Sequence, residues 1–347
     1  SPSDAGNYTV IVSGASPCFP VTSNSSVLTV NQSVSISQQP ISQTVCSSFP
    51  VSFTVSATGS GLTYQWRKGT TNLNNGGNIS GATSATLNLL SASTGDAGNY
   101  NVVISGLSPC ESVTSADAVL TVNENISINS QPSSQVVCEG NAATFTVSAN
   151  GTIANYTWRK GGIPITDGGK ISGATTSTLT ISNVSQAEAG SYDVIVNATE
   201  GTCSQIISNP ATLTVNLLPN ISNMNAVICS GGTFTVIPAN GTNGTVPSGT
   251  NYSWAAPSIS GITGTASGTD ETNIHGTLTN TTNAAIDILY SVTPKSGNCT
   301  GTAFTVTVTV NPIPTVTNSS LSQTICSGDN TSLVTLTADV SGTTFTW

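Results

Sequence analysis

"STGDAGNYNV" (Ser93–Val102) decides how this chain folds, because its wording returns at fixed intervals. "SPSDAGNYTV" (Ser1–Val10) precedes it and "SQAEAGSYDV" (Ser185–Val194) follows it. The three tyrosines, Tyr8, Tyr100 and Tyr192, are spaced 92 and 92 apart, and Trp66 and Trp158 are again 92 apart. A period that long predicts an array of homologous domains rather than a solenoid of short units.

Each unit reads alike outward from that word. A leading strand with a proline comes first ("SQQP", "NSQP"), then "QTVC" or "QVVC". An alternating strand follows, "VSFTVSA" or "ATFTVSA", and then one carrying tryptophan, "YQWRKG" or "YTWRKG". A Gly-rich stretch leads to "SATLNLL" or "STLTISNV", then the D/E-A-G-x-Y word and a last strand ending "LTVN". About seven short strands with a Trp on the third is the pattern of an immunoglobulin-like sandwich. The fold class expected is all-β, a tandem array of such sandwiches forming an extended rod. Gly98 and Gly190 permit a tight turn, and the tyrosines return their hydroxyls to the backbone, a tyrosine corner.

The repeat divides the chain into a truncated unit at 1–31, sandwiches at 32–123 and 124–216, a divergent one at 217–311, and the first strands of another at 312–347. The divergent unit keeps "YSW" (Tyr252–Trp254) but has "ILYSVT" (Ile288–Thr293) where the others have the corner word. Junctions such as "LTVNEN" and "LTVNLL" are short, without the Gly/Ser run of a flexible linker.

Composition excludes several function classes. Charged residues are 6% of the chain and net charge is −9, against the clustered Lys and Arg that nucleic acid requires. Ser and Thr together make up about 30%, and they alternate with apolar residues, as in "AFTVTVTV" (Ala303–Val310), so the low charge does not signal disorder. No apolar run is long enough for a membrane-spanning helix. The single His275 has no nucleophile or paired carboxylates around it, so no catalytic residue, cofactor or metal is expected.

"VCEG…YTWRKGGIPI…SGATTSTLTISNV…AEAGSYDVIV" in the second sandwich, and "ICSGGTFTV…GNCTGTAFTVTVTVNPIPTV" in the third, carry a resemblance. The chain resembles the tandem immunoglobulin-like and PKD-like repeats of giant Bacteroidota surface proteins. Many of those are gliding-motility adhesins or other type IX secretion substrates. The resemblance implies secretion, a filamentous shape, and adhesion or spacing. Partners implied are neighbouring repeats of a longer chain and possible surface polysaccharide or host protein.

Eight cysteines stand at 18, 46, 110, 138, 203, 229, 299 and 326, none in C-x-x-C. Their even placement in a β array points to disulfides and an oxidising compartment. The antibody-type inter-sheet positions hold Val55 and Val102 in one unit and Val147 and Val194 in the next, so apolar packing replaces that bond. Cys110 and Cys203 fall in the last hairpin, at the far pole from the first-turn Cys46 and Cys138. About six strand residues put the hairpin tip roughly 20 Å from the corner, and a disulfide needs Cα atoms within about 7 Å. Staples between domains, Cys46–Cys203 and Cys138–Cys299, fit this best. Bonds within domains (Cys46–Cys110, Cys138–Cys203, Cys229–Cys299) are the alternative.

Other candidates have plainer readings. Trp66, Trp158, Trp254 and Trp347 could stack on sugar, but third-strand placement assigns them to cores. Arg67–Lys68 and Arg159–Lys160 could form a repeated anion spot, against a solvated strand face. Asp270–Glu271 could contribute to a calcium site, but no D-x-D cluster accompanies it. The function expected is a structural stalk spacing a binding tip from the cell. The alternative is a module that binds carbohydrate or protein through its loops, with the Gly/Thr-rich insert Ala255–Thr282 as the best place for it.

Overall fold

The computed structural model describes residues 1–199 and 203–346. Described residues form strands and three short 3-10 turns, with no α-helix. Three sandwiches follow one another. In the first, strands Thr71–Asn72, Thr63–Lys68, Gly98–Ser105, Ala118–Asn123 and Gln43–Cys46 form one sheet in that order, faced by Ile79–Ser80, Thr86–Leu89 and Val51–Thr54. The second repeats this with Ile163–Pro164, Ile153–Lys160, Gly190–Ala198, Ala211–Asn216 and Gln135–Cys138, faced by Ile171–Ser172, Thr178–Ile181 and Ala143–Thr146. The third has Gly268–Glu271, Thr250–Trp254, Ile286–Ser296, Phe304–Asn311 and Met224–Cys229.

Two sequence features make the sandwich. Alternation puts one face of each strand inside: Val51 and Phe53 are buried while Ser52 and Thr54 are exposed, and Phe304, Val306, Val308 and Val310 are buried. Proline splits the leading strand. Pro40 and Pro132 donate no N–H, so the chain leaves one sheet after Gln38 or Ser130 and joins the other as Gln43–Cys46 or Gln135–Cys138. There it runs parallel to the last strand, Cys46 opposite Asn123 and Cys138 opposite Asn216. Gln39 and Gln131 accept from the N–H of Ala116 and Asn209 at 2.9 and 2.8 Å, holding the crossover.

Each core is built around an aromatic cluster. Trp66 and Tyr100 lie close to Phe53, with ring centroids 6.2 and 5.0 Å away, and Trp158 and Tyr192 stand 6.2 and 5.1 Å from Phe145. Val55 and Val102 share the first core, and Val147 and Val194 the second. The third core holds Trp254 and Tyr252, and Tyr290 lies 5.3 Å from Phe234, taking the place of the absent corner tyrosine.

Three expectations need correction or restriction. Tyr8 is not buried among the described residues: it is 53% exposed, on strand Gly6–Tyr8, which pairs with Ser26–Leu28. Trp347 lies outside the described residues. The stretch 255–282 is also not a free loop. It supplies Gly268–Glu271 to one sheet and Ile274–Thr277, paired with Thr233–Val236, to the other, and it buries Ile274 and Leu278.

Candidate functional site

Two built features repeat along the chain: a locked corner at one pole of each of the first two sandwiches, and a tied junction between neighbours.

The corner word contains more than a tyrosine. Ser1, Ser93 and Ser185 begin 3-10 turns whose fourth residue, Asp4, Asp96 or Glu188, reaches back to the starting serine as a capping box. The carbonyl of that same acidic residue accepts the tyrosine hydroxyl, at 2.6 Å in Tyr8, 2.7 Å in Tyr100 and 2.7 Å in Tyr192. The sequence carries this capping half of the motif as S-x-x-[D/E], in "SPSD", "STGD" and "SQAE", beside the tyrosine half. Gly98 and Gly190 turn with φ of 145° and 142°. Burial, and secondarily the negative Asp96 or Glu188, pushes the Tyr100 and Tyr192 hydroxyls up to about 12.

The lysines of the Arg-Lys pairs reach this corner. Lys68 donates to the Gly95 carbonyl and Lys160 to the Ala187 carbonyl, each closing a 3-10 turn from the Trp-bearing strand. Arg159 forms a two-point bond to Asp193, at 2.7 and 2.9 Å, which raises its already high pKa. Arg67 donates to Asn72 instead.

Glu188 makes the second corner pH-sensitive. The Ser185 hydroxyl and N–H, then Lys170 at 3.1 Å, hold its carboxyl down at about 2. An unfolded Glu titrates near ~4.3. The folded value is depressed, so its contribution is complete above that pH and is lost as pH falls toward 2. Glu188→Gln should therefore cost about 1–2 kcal/mol at pH 7, discounted from ~1.4 kcal/mol per pH unit for partial exposure. The difference from the parent should vanish near pH 2. Denaturant unfolding at both pH values measures it, and an equal loss at both would remove Glu188 as the cause.

At the first junction, Ser47 N–H donates to Asn123 O at 2.8 Å, while Thr152 N–H donates to Glu124 O at 3.1 Å. Successive residues are thus tied to successive sandwiches, and no free linker residue lies between. Asn125 reaches back to Ser47 O at 3.2 Å. The Thr152–Glu124 bond recurs one period earlier, where Ser60 N–H donates to Gln32 O. The second junction is looser by the length of Leu217–Pro219, but a Cβ on Gly301 would sit 2.1 Å from Pro219 O, so the last hairpin presses on it.

The cysteines lie at these contacts. Cys46 is bonded to Cys203 and Cys138 to Cys299, with Cα–Cα distances of 5.5 and 5.6 Å. In each bond one sulfur ends the parallel strand of one sandwich and the other lies in the last hairpin of the next. Cys46 and Cys299 are buried. Cys229 closes the parallel strand of the third sandwich opposite Asn311, and Cys110 lies against Asn31 and Gln32. Both stand in staple positions without a disulfide partner, and the exposed Cys18 and Cys326 are free thiols as well.

The remaining candidates are not brought together. Trp66, Trp158 and Trp254 are buried and donate their indole N–H to Ser84, Thr176 and Ala266 carbonyls. Asp270–Glu271 lie in a strand, and no group of metal-ligating side chains forms among the described residues. His275 bonds Asn273 and meets the Trp254 ring edge-on. No helix among them is long and apolar enough to cross a membrane.

Comparison with known proteins places this geometry. Residues 127–197 match the immunoglobulin domain family, residues 226–314 the PKD-like domain family, and residues 36–124 a domain of unknown function. An I-band fragment of titin is similar in structure over 81% of this chain and 98% of its own, at 18% identity and a TM-score of 0.55. A Glu-to-Ala mutated three-domain titin structure is similar over 81% and 99%, at 17% identity and a TM-score of 0.56. No curated protein matches in sequence. The chain is a tandem array of immunoglobulin-like sandwiches, one of them PKD-like.

Proposed function

We propose that this chain is a stalk segment of a large secreted bacterial surface protein, an adhesin, in which sandwiches bounded at 32–123, 124–216 and 217–311 act as spacers. The observation that carries this reading is the pair of disulfides crossing both junctions. They tie each neighbour at two points, the backbone and the sulfur, and so oppose bending. Surface area supports an extended shape. The chain exposes 19533 Å², where a compact globule of its mass would expose about 13,000 Å². Strand Ile286–Ser296 has 11 residues, which makes a sandwich about 35 Å long and three in line about 110 Å. Adhesion to polysaccharide or protein would belong to other parts of the same molecule. The resemblance to Bacteroidota repeats supports that assignment.

Small-angle scattering tests the shape. A rod of that length should give a radius of gyration of about 30 Å or more, and a compact chain of this size about 20 Å. A value near the smaller figure would overturn the stalk reading.

A further inference from the structure

The two disulfides interlace. Cys46–Cys203 closes 157 residues and Cys138–Cys299 closes 161, and each closed stretch starts or ends inside the other. Neither bond lies within a sandwich, so neither is needed to complete a core: Val55 with Val102, and Val147 with Val194, pack without one. Connectivity nevertheless changes what tension can reach.

The shortest covalent path limits how far a pulled chain extends. From Cys46 the path crosses one bond to Cys203 and arrives at Cys229 about 26 residues later, whereas the backbone route takes about 183. At ~3.5 Å per residue, about 26 residues span roughly 90 Å. Two sandwiches of about 35 Å in line already span about 70 Å. The shortcut to Cys229, fully stretched, is hardly longer than the folded pair it bypasses; pulled from the chain's two ends, the shortest path instead returns about 65 residues from Cys203 to Cys138 and crosses to Cys299. Cys229 then occupies the position from which Cys46 and Cys138 cross to the next hairpin, opposite the end of the last strand.

We propose that the interlaced staples make this segment a length-limited tether, in which forced unfolding of the sandwiches stops at less than half of the backbone contour. The limit is set by which sulfurs are joined and not by how stable each core is. The proposal rests on the stalk reading for its purpose, but its mechanics follow from connectivity alone.

Single-molecule stretching of the whole chain, held at its two ends, tests this. The parent should stop at a contour of about 160 residues out of 347. Interlacing carries a non-additive signature. Cys138→Ser leaves the Cys46–Cys203 shortcut, and Cys203→Ser leaves the Cys138–Cys299 shortcut. Each single variant should lengthen the limit by only about 30 residues, and the two together by about 190, to the full chain. Once the remaining bond has formed, confirmed by mass spectrometry of a non-reduced digest, the limit is covalent and is read whatever the variant's stability. A dithiol added to the stretched parent passes two electrons and two protons to each disulfide and closes its own S–S bond. It should release the same length as the double variant. A parent that reaches full contour without reductant overturns the proposal. So does a double variant that gains only about 65 residues, which is the result for bonds within domains. If the contour limits hold and scattering shows a compact particle, the tether stands and the stalk reading falls.

Discussion

Trp158→Ala should destabilise the second sandwich by about 3–5 kcal/mol, the range for removing a buried large aromatic side chain. The ring is fully buried, lies 6.2 Å from Phe145, and sits opposite Val194 in the adjoining strand. Its indole N–H satisfies the Thr176 carbonyl at 2.9 Å, so alanine leaves both a cavity and an orphaned acceptor. Equilibrium unfolding in denaturant should show one early transition for the second sandwich, with the first and third unchanged. Trp66→Ala should produce the mirrored result in the first sandwich. A loss below about 1 kcal/mol would mean that the site collapses around the gap, contrary to close packing.

Gly173→Ala should cost about 2–4 kcal/mol, a large effect for one added methyl. Gly173 has φ of +80°, where an L residue is strained by about 1–2 kcal/mol. An added Cβ would also stand 2.1 Å from the Thr178 carbonyl oxygen, and overpacking of that kind costs about 1–3 kcal/mol. The turn cannot yield cheaply, because Thr176 N–H and Oγ1 both bond Gly173 O while Oγ1 also bonds Thr178 O. The next residue, Ala174, is fully buried, and its N–H donates to Asp167. Gly81 repeats the geometry, with φ of +77° and a Cβ 2.0 Å from Thr86 O. By contrast, Gly161→Ala adds a methyl where nothing stands within 4 Å, and should cost only the backbone strain of about 1–2 kcal/mol. Equal losses at Gly173 and Gly161, measured by thermal unfolding, would remove the close approach as the cause.

The word "SGAT", at Ser80–Thr83 and Ser172–Thr175, shows how far sequence reading reaches. Its repetition is visible in the string, but its cause is not. Gly is required there by a carbonyl that arrives from five residues ahead through a turn, a distance in space that no spacing rule expresses. The Arg-Lys pairs are similar. The string shows two cations on a strand, and their solvated-face reading follows from exposure statistics. Lys68 and Lys160 instead close the 3-10 turns, because the fold brings the turns carrying Gly95 and Ala187 beside the Trp-bearing strand.

What the amino-acid order determined by itself was local and periodic. The 92-residue recurrence, the period-2 alternation of "FTVTVTV", the glycine and tyrosine of the corner, and the split by proline each act over a few residues. They sufficed for an all-β array with Trp66, Trp158 and Trp254 inside. Tertiary structure decided everything that depends on which surfaces meet. Burial requires an opposing sheet, and no short motif can supply one. Tyr290 entered the third core without that word, because its strand places it against Phe234. Cysteine spacing left two pairings open. Only the head-to-tail stacking of one sandwich's last hairpin on its neighbour's parallel strand brings Cys46 to Cys203 and Cys138 to Cys299, since a disulfide forms where Cα atoms come within a few ångströms, whatever their separation along the chain.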